Sequence, residues 1–260
     1  MDYALIGGTG VEHFRLTEQR VVAVETPYGP VETVVGELAN REIVFMSRHG
    51  RDHATPPHLV NYRANIWAIR ELGVRKIIAT AAVGSLSPDF RLGELVLLDQ
   101  FLDFTKSRPQ TFYEGGQKGV LHVDMTEPYC SEVRQVILEA SQHLGLTVKN
   151  GACYVCTEGP RFETPAEIRM FQRLGADLVG MTSVPEVVLA RELGMCYASI
   201  GMVTNEAAGI AKHPLTHAEV MESMKELGGK VAQLIQGTFE LWTPAQNCLC
   251  ASANREVGKF

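Results

Sequence analysis

A single α/β domain is what this chain predicts, and three observations carry that expectation. Short apolar runs end in Gly or polar residues, and amphipathic stretches of helical period separate them. At 260 residues, with 45% hydrophobic and 21% charged content, the chain is long enough to bury one large core.

The elements come in this order. YALIG (3–7), REIVFMS (41–47), KIIATAAVG (76–84), ELVLLD (94–99), TVKNGACYVC (147–156), ADLVGM (176–181) and CYASIGMVT (196–204) read as strands. Helical period marks 58–72, 130–144, 164–173, 184–193 and 216–237. The last opens on Thr216 with Glu219 three residues on, a capping box that makes Thr216 the N-cap. There is no internal repeat, low-complexity segment or linker. The longest irregular stretch, 101–128, is rich in Pro, Gly, Gln and aromatics, and a loop of that length is usually functional or at an interface.

A net charge of −6 without a long Lys/Arg run argues against a nucleic-acid or membrane-surface protein, so any anion must be met by a local site. No run of about 18 apolar residues occurs, and MDYALIGGTG lacks the basic and apolar regions of a signal peptide. A cytoplasmic location is expected. The six cysteines are scattered apart from two close pairs, Cys153/Cys156 and Cys248/Cys250, and lack the CxxC…CxxC spacing of a zinc site, which predicts reduced thiols and no metal. Cys248 and Cys250 fall in a polar tail, 244–260, that reads as frayed and without catalytic role, beyond a domain over 1–243.

Ligands of open α/β sheets gather beyond the carboxyl ends of strands. Gly7-Gly8-Thr9-Gly10 follows the first strand and offers backbone N–H groups and a hydroxyl to an anion, although an isolated GGTG is more often a plain turn. It is neither a P-loop, having no Lys in place, nor a dinucleotide fingerprint. Ser47-Arg48-His49-Gly50-Arg51-Asp52-His53 leaves another strand with two arginines and two histidines, and Arg supplies forked donors for phosphate oxygens. Thr80-Ala81-Ala82 and Met181-Thr182-Ser183 present amides or hydroxyls at two further strand ends.

GGTG, SRHG, HLVNYRANIWA, AVGSL, DQFLDFT, EGPRFET and MTSVPEVVLARELGMCYASI, in unbroken order over about residues 3–240, together resemble the methylthioadenosine phosphorylase and trimeric purine nucleoside phosphorylase family. That resemblance implies a central mixed β-sheet, partly closed and barrel-like, flanked by helices. It implies phosphorolysis of a purine nucleoside to free base and sugar 1-phosphate, with phosphate held by Thr9, Arg48, His49, the Ala81-Ala82 backbone and Thr182. Ala81 stands where many relatives have Thr. Met181 would lie under the ribose, and Val220 and Ala207 would complete the substrate pocket.

Members that cleave 6-aminopurine nucleosides carry an Asp-x-Asp pair where this chain has Thr204-Asn205-Glu206-Ala207. An amide can donate to O6 or N7 of a 6-oxopurine, and Glu163, after Phe162, can accept from N1–H. Taken alone, Asn205 is a plausible turn residue and Glu163 a first-turn helix charge; their agreement favours hypoxanthine or guanine as the base. Asn205, Glu163 and His49 are the expected catalytic residues. His217 matches the histidine that contacts the 5′-hydroxyl in trimeric purine nucleoside phosphorylases, which points to inosine or guanosine over a methylthio nucleoside. The family also implies a homotrimer in which a neighbour's His122 reaches the pocket. No cofactor is expected beyond phosphate as co-substrate. The alternatives are a 5′-methylthioinosine or methylthioadenosine phosphorylase and a nucleoside-binding protein without catalysis.

Overall fold

The computed structural model describes residues 1–8, 16–50, 54–211, 214–242 and 247–254, with the backbone of 257–258. Its first half contains β1 (Tyr3–Gly7), β2 (Thr17–Val24), β3 (Val31–Leu38), β4 (Arg41–Ser47), α1 (Tyr62–Glu71), β5 (Lys76–Ser85), β6 (Leu95–Leu97), β7 (Gln100–Phe104) and β8 (Val120–Leu121). The second half contains α2 (Ser131–His143), β9 (Val148–Asn150), β10 (Cys153–Thr157), α3 (Pro165–Arg173), β11 (Leu178–Gly180), α4 (Ser183–Glu192), β12 (Cys196–Glu206), α5 (His217–Leu241) and β13 (Val257–Gly258).

Eleven strands form one mixed sheet, in the order β2-β3-β4-β1-β5-β11-β10-β7, with β12, β6 and β9 branching from β5. Both faces of its centre are covered, which is why these strands read as continuous apolar runs. In β1, Ala4 and Ile6 pack into the core beneath α1 and α4, while Tyr3 and Leu5 pack into a second core beneath α2 and α5. Period-two alternation thus feeds two helical layers on opposite faces. A smaller cluster, including Ile168 and Phe171 of α3, closes one end.

The α/β expectation holds. Three details differ from it. The hairpin β2-β3 has no counterpart among the expected strands: β2 is an edge strand whose first residues are polar and exposed, and in β3 Glu and Gly interrupt the apolar residues. The segment 147–156 is two strands, broken at Gly151 (φ +94°): β9 pairs with β6, whereas β10 pairs with β7 and β11. The described residues of the tail are docked, where the sequence predicts a frayed segment. The backbone amides of Asn247 and Cys248 donate to Glu132 Oε2 at 2.7 and 3.0 Å, and β13 pairs with β8.

Candidate active site

The site arises from how β5 is flanked. On one edge β12 accompanies it throughout, from Lys76 to Ser85. On the other edge β1 pairs only as far as Ala79, and β11, running antiparallel, takes over at Gly84. Between them a cavity of about 380 Å³ opens, bordered by Ala81, Ala82 and Val83. The carboxyl ends of β1, β4 and β11 deliver Gly8, Arg48-His49 and Met181-Thr182 to it.

Arg48 is buried, and so is Glu186 of α4, which it meets in a side-on fork: Nε and Nη2 donate to the two carboxylate oxygens at 2.8 and 2.7 Å. Nη1 donates to the Thr80 carbonyl at 2.8 Å. Three of the five guanidinium hydrogens are thereby used, leaving one on each terminal nitrogen for an anion. Burial alone would lower the pKa of Arg48, but the Glu186 carboxylate outweighs that and raises it, so the charge is permanent. Tyr197 donates to Glu186 Oε1 at 2.7 Å, fixing the carboxylate in turn.

His49 Nδ1 lies 2.8 Å from the Thr55 carbonyl; since a carbonyl only accepts, that nitrogen carries the proton. Two expectations about the anion end need correcting. The Gly8 amide donates to Thr80 Oγ1 at 3.1 Å, so this part of GGTG serves the fold. Ala81 and Ala82 stand inside β5, exposed to the cavity by the gap in pairing and not by a strand end. Thr9 lies outside the described residues.

Further along β5 the cavity changes character. Phe162, Glu163, Met181, Thr204, Asn205 and Ala207 line it. Glu163 is buried, and desolvation raises its carboxyl pKa while the Thr157 hydroxyl, donating at 2.6 Å, partly opposes the shift. The Asn205 amide is oriented at both ends. Its Oδ1 accepts from Thr204 Oγ1 at 2.9 Å, and one Nδ2 hydrogen goes to the Glu206 carbonyl at 2.9 Å. The second Nδ2 hydrogen is the donor this group can offer. A Cβ on Gly84 would stand 3.1 Å from Nδ2, so the glycine makes room for the amide.

His217 opens α5 and lines the rim with Leu215 and Val220, its side chain exposed. The predicted capping box is present: Thr216 Oγ1 and Glu219 exchange bonds with each other's backbone amides. His122 is exposed and lines a separate depression beside Asp124, Arg191 and the tail.

Two functional supports carry no signal in the sequence. Glu186 stands there only as part of a longer motif, and Arg108 in none, although it lies in the 101–128 stretch singled out for function. Arg108 is buried and donates to the carbonyls of Met181, Val184, Thr157 and Glu158 at 2.7, 2.7, 3.1 and 2.7 Å. It ties the end of β10 to the turn between β11 and α4, the two walls that carry Glu163 and Thr182.

A buried arginine with hydrogens to spare at one end, and a carboxylate and an oriented amide at the other, define a pocket for an anion and a polar heterocycle together. The chain belongs to the phosphorylase superfamily, whose family model matches residues 2–240. It is 54% identical over 258 residues to the probable 6-oxopurine nucleoside phosphorylase of Moorella thermoacetica, covering 99% of each chain. It is 50% identical to the 6-oxopurine nucleoside phosphorylase of Pyrococcus furiosus, over 96% of each, and 50% identical to the probable S-methyl-5′-thioinosine phosphorylase of Methanopyrus kandleri, over 97% of each. Among solved structures, methylthioadenosine phosphorylase from Schistosoma mansoni in complex with adenine superposes with a TM-score of 0.92 at 33% identity, covering 98% of this chain and 96% of that one.

Proposed function

We propose that this enzyme is a purine nucleoside phosphorylase of 6-oxopurine nucleosides, converting inosine or guanosine and inorganic phosphate to free base and ribose 1-phosphate. The observation that carries the reading is the pairing of Glu163 with the oriented Asn205 amide in one cavity with Arg48. Arg48 meets β5 at Thr80 and Asn205 meets it at Gly84, four residues or about 13 Å of strand apart, which leaves space for a ribose between anion and base.

Phosphate binds to the remaining Arg48 hydrogens, to His49, and to Thr182 and Thr9. As the C1′–N9 bond breaks, the ribosyl group becomes cationic and the purine anionic. A phosphate oxygen then forms the new bond to C1′. Asn205 donates to N7 or O6 and gains strength as charge accumulates there, while Glu163 accepts from N1–H and fixes the ring. The phosphate charge is met by protein groups, so the reaction asks for no cofactor. His122 is exposed and absent from its own chain's cavity, so contact with the nucleoside would be made in another copy, as in a homotrimer. Among the described residues no helix is long and apolar enough to cross a membrane, and the proposed setting is the cytoplasm.

Leu215 and Val220 flank His217 at the rim and favour a second reading, a 5′-methylthioinosine phosphorylase, since two aliphatic side chains suit a thioether. One experiment separates these readings: hypoxanthine release from inosine and from 5′-methylthioinosine, each with and without phosphate. Release from inosine that requires phosphate and exceeds that from the thio analogue is expected. A higher kcat/KM for the analogue would reassign the substrate, and release without phosphate would make the enzyme a hydrolase.

A further inference from the structure

The cysteines that are scattered in sequence are not scattered in space. Cys130 immediately precedes α2, Cys196 is the first residue of β12, and Cys248 and Cys250 come from the docked tail; the four sulfurs all lie within 4.8 Å of one another. We propose that these four thiolates form a tetrahedral site for a structural zinc ion.

Zinc bound to four thiolates at about 2.3 Å sets the sulfurs about 3.8 Å apart. The cluster is close to that arrangement, with Cys196 Sγ 3.4 Å from Cys248 Sγ, and small rotations would complete it. Two neighbouring disulfides would gather four sulfurs as well, with each bonded pair at about 2.0 Å; Cys196 and Cys248 stand at 3.4 Å, the spacing of sulfurs that share an ion. Thiolate sulfur is also the ligand that selects zinc over the hard cations.

Positive groups around the cluster suit the charge of such a complex. Four thiolates around a divalent ion carry a net charge of about −2. Arg191 donates from Nη1 to Cys250 Sγ at 3.2 Å, and Cys130 sits at the N-terminal, positive end of the 13-residue helix α2. The frame is braced independently of any ion. The Cys130 amide donates to the Tyr197 carbonyl at 2.8 Å, and Glu132 holds the amides of Asn247 and Cys248.

With four protein ligands the site has no open position, and none of the four lines the active-site cavity, so the ion is structural. It would clamp 247–254 onto the body. Through the β13-β8 pairing it would also steady the segment leading to His122, and Arg191 reaches the same segment by donating from Nε to the Asp124 carbonyl at 3.1 Å.

The test uses the full-length chain, produced in zinc-supplemented medium, purified under reducing conditions and dialysed against a weak chelator. Elemental analysis and native mass spectrometry should then find about one zinc per chain. The double variant Cys248→Ser/Cys250→Ser should fall to near zero zinc, with a lower melting temperature and nucleoside cleavage retained at room temperature. Cys153→Ser, outside the cluster, should keep the zinc and shows that loss of metal is not a general effect of removing a thiol. Zinc content equal in wild type and the double variant would overturn the proposal. So would iron in its place, intact masses showing the four cysteines joined as disulfides, or four titratable thiols with no zinc taken up.

Discussion

Asn205 can act as a donor because its other bonds are settled: Thr204 occupies the amide oxygen and the Glu206 carbonyl takes one of two hydrogens. In Asn205→Asp both terminal atoms become acceptors, which would face the acceptors O6 and N7. Inosine kcat/KM is expected to fall about 10²- to 10³-fold, with little change in KM for phosphate. Unchanged inosine kinetics would remove Asn205 from the mechanism. Glu163 makes a pH prediction at the same scale. Desolvation raises its pKa, and the carboxylate is the stronger acceptor for N1–H, so kcat/KM for inosine should drop with falling pH at an inflection above the usual glutamate value. The stability sign is opposite. Between the unfolded and folded pKa values the native state binds more protons, so this group costs stability as pH rises through that window. Glu163→Gln should abolish the acid inflection, and an inflection that survives would belong to another group. Asn205 is legible in the sequence because it departs from the Asp-x-Asp pattern, and Glu163 because it stands in the EGPRFET motif. Glu186 is not, since its partner Arg48 lies 138 residues away in sequence, and Arg108 is not, since it binds carbonyls, which any residue could supply.

At the scale of elements, the cavity proposed for the anion exists because β1 stops at Gly7 while β5 continues to Ser85. The strands themselves are readable from their apolar runs, but the gap is not, because pairing partners of a buried strand leave no local signature. The same limit hides the break at Gly151, where two strands of one apparent run join different neighbours. The residue next after β1 must be small. A Cβ on Gly8 would stand 2.7 Å from Arg48 Nη1 and 3.1 Å from the Thr80 carbonyl oxygen. Arg48 cannot swing aside without breaking its fork to Glu186. Gly8→Ala should therefore raise KM for phosphate about tenfold or more, the size of one lost charge-assisted hydrogen bond, and change KM for inosine less. Equal effects on both substrates would mean that the added methyl distorts the whole cavity and not the arginine alone.

On the scale of the whole molecule, the proposed phosphate contacts join parts that the two helical layers hold only indirectly: the end of β4, the open edge of β5 and the turn before α4. Arg48 and Thr182 belong to segments over 130 residues apart that meet through Glu186 and the Thr80 carbonyl. A ligand that binds such a junction in the native state and not in the unfolded chain must stabilise the fold by mass action. At a hundred times Kd the gain is about 2.7 kcal/mol. For a chain of this size each kcal/mol is worth about 2–4 °C in Tm, so saturating phosphate should raise Tm by about 5–10 °C. Thr182→Val, which removes one hydroxyl contact while keeping the side-chain shape, should need a higher phosphate concentration for the same shift. Chloride at matched ionic strength controls for screening, since a general salt effect would act with either anion. A wild-type Tm that rises with inosine but is indifferent to phosphate would place the anion away from Arg48, because binding at that junction cannot leave the folding equilibrium unmoved.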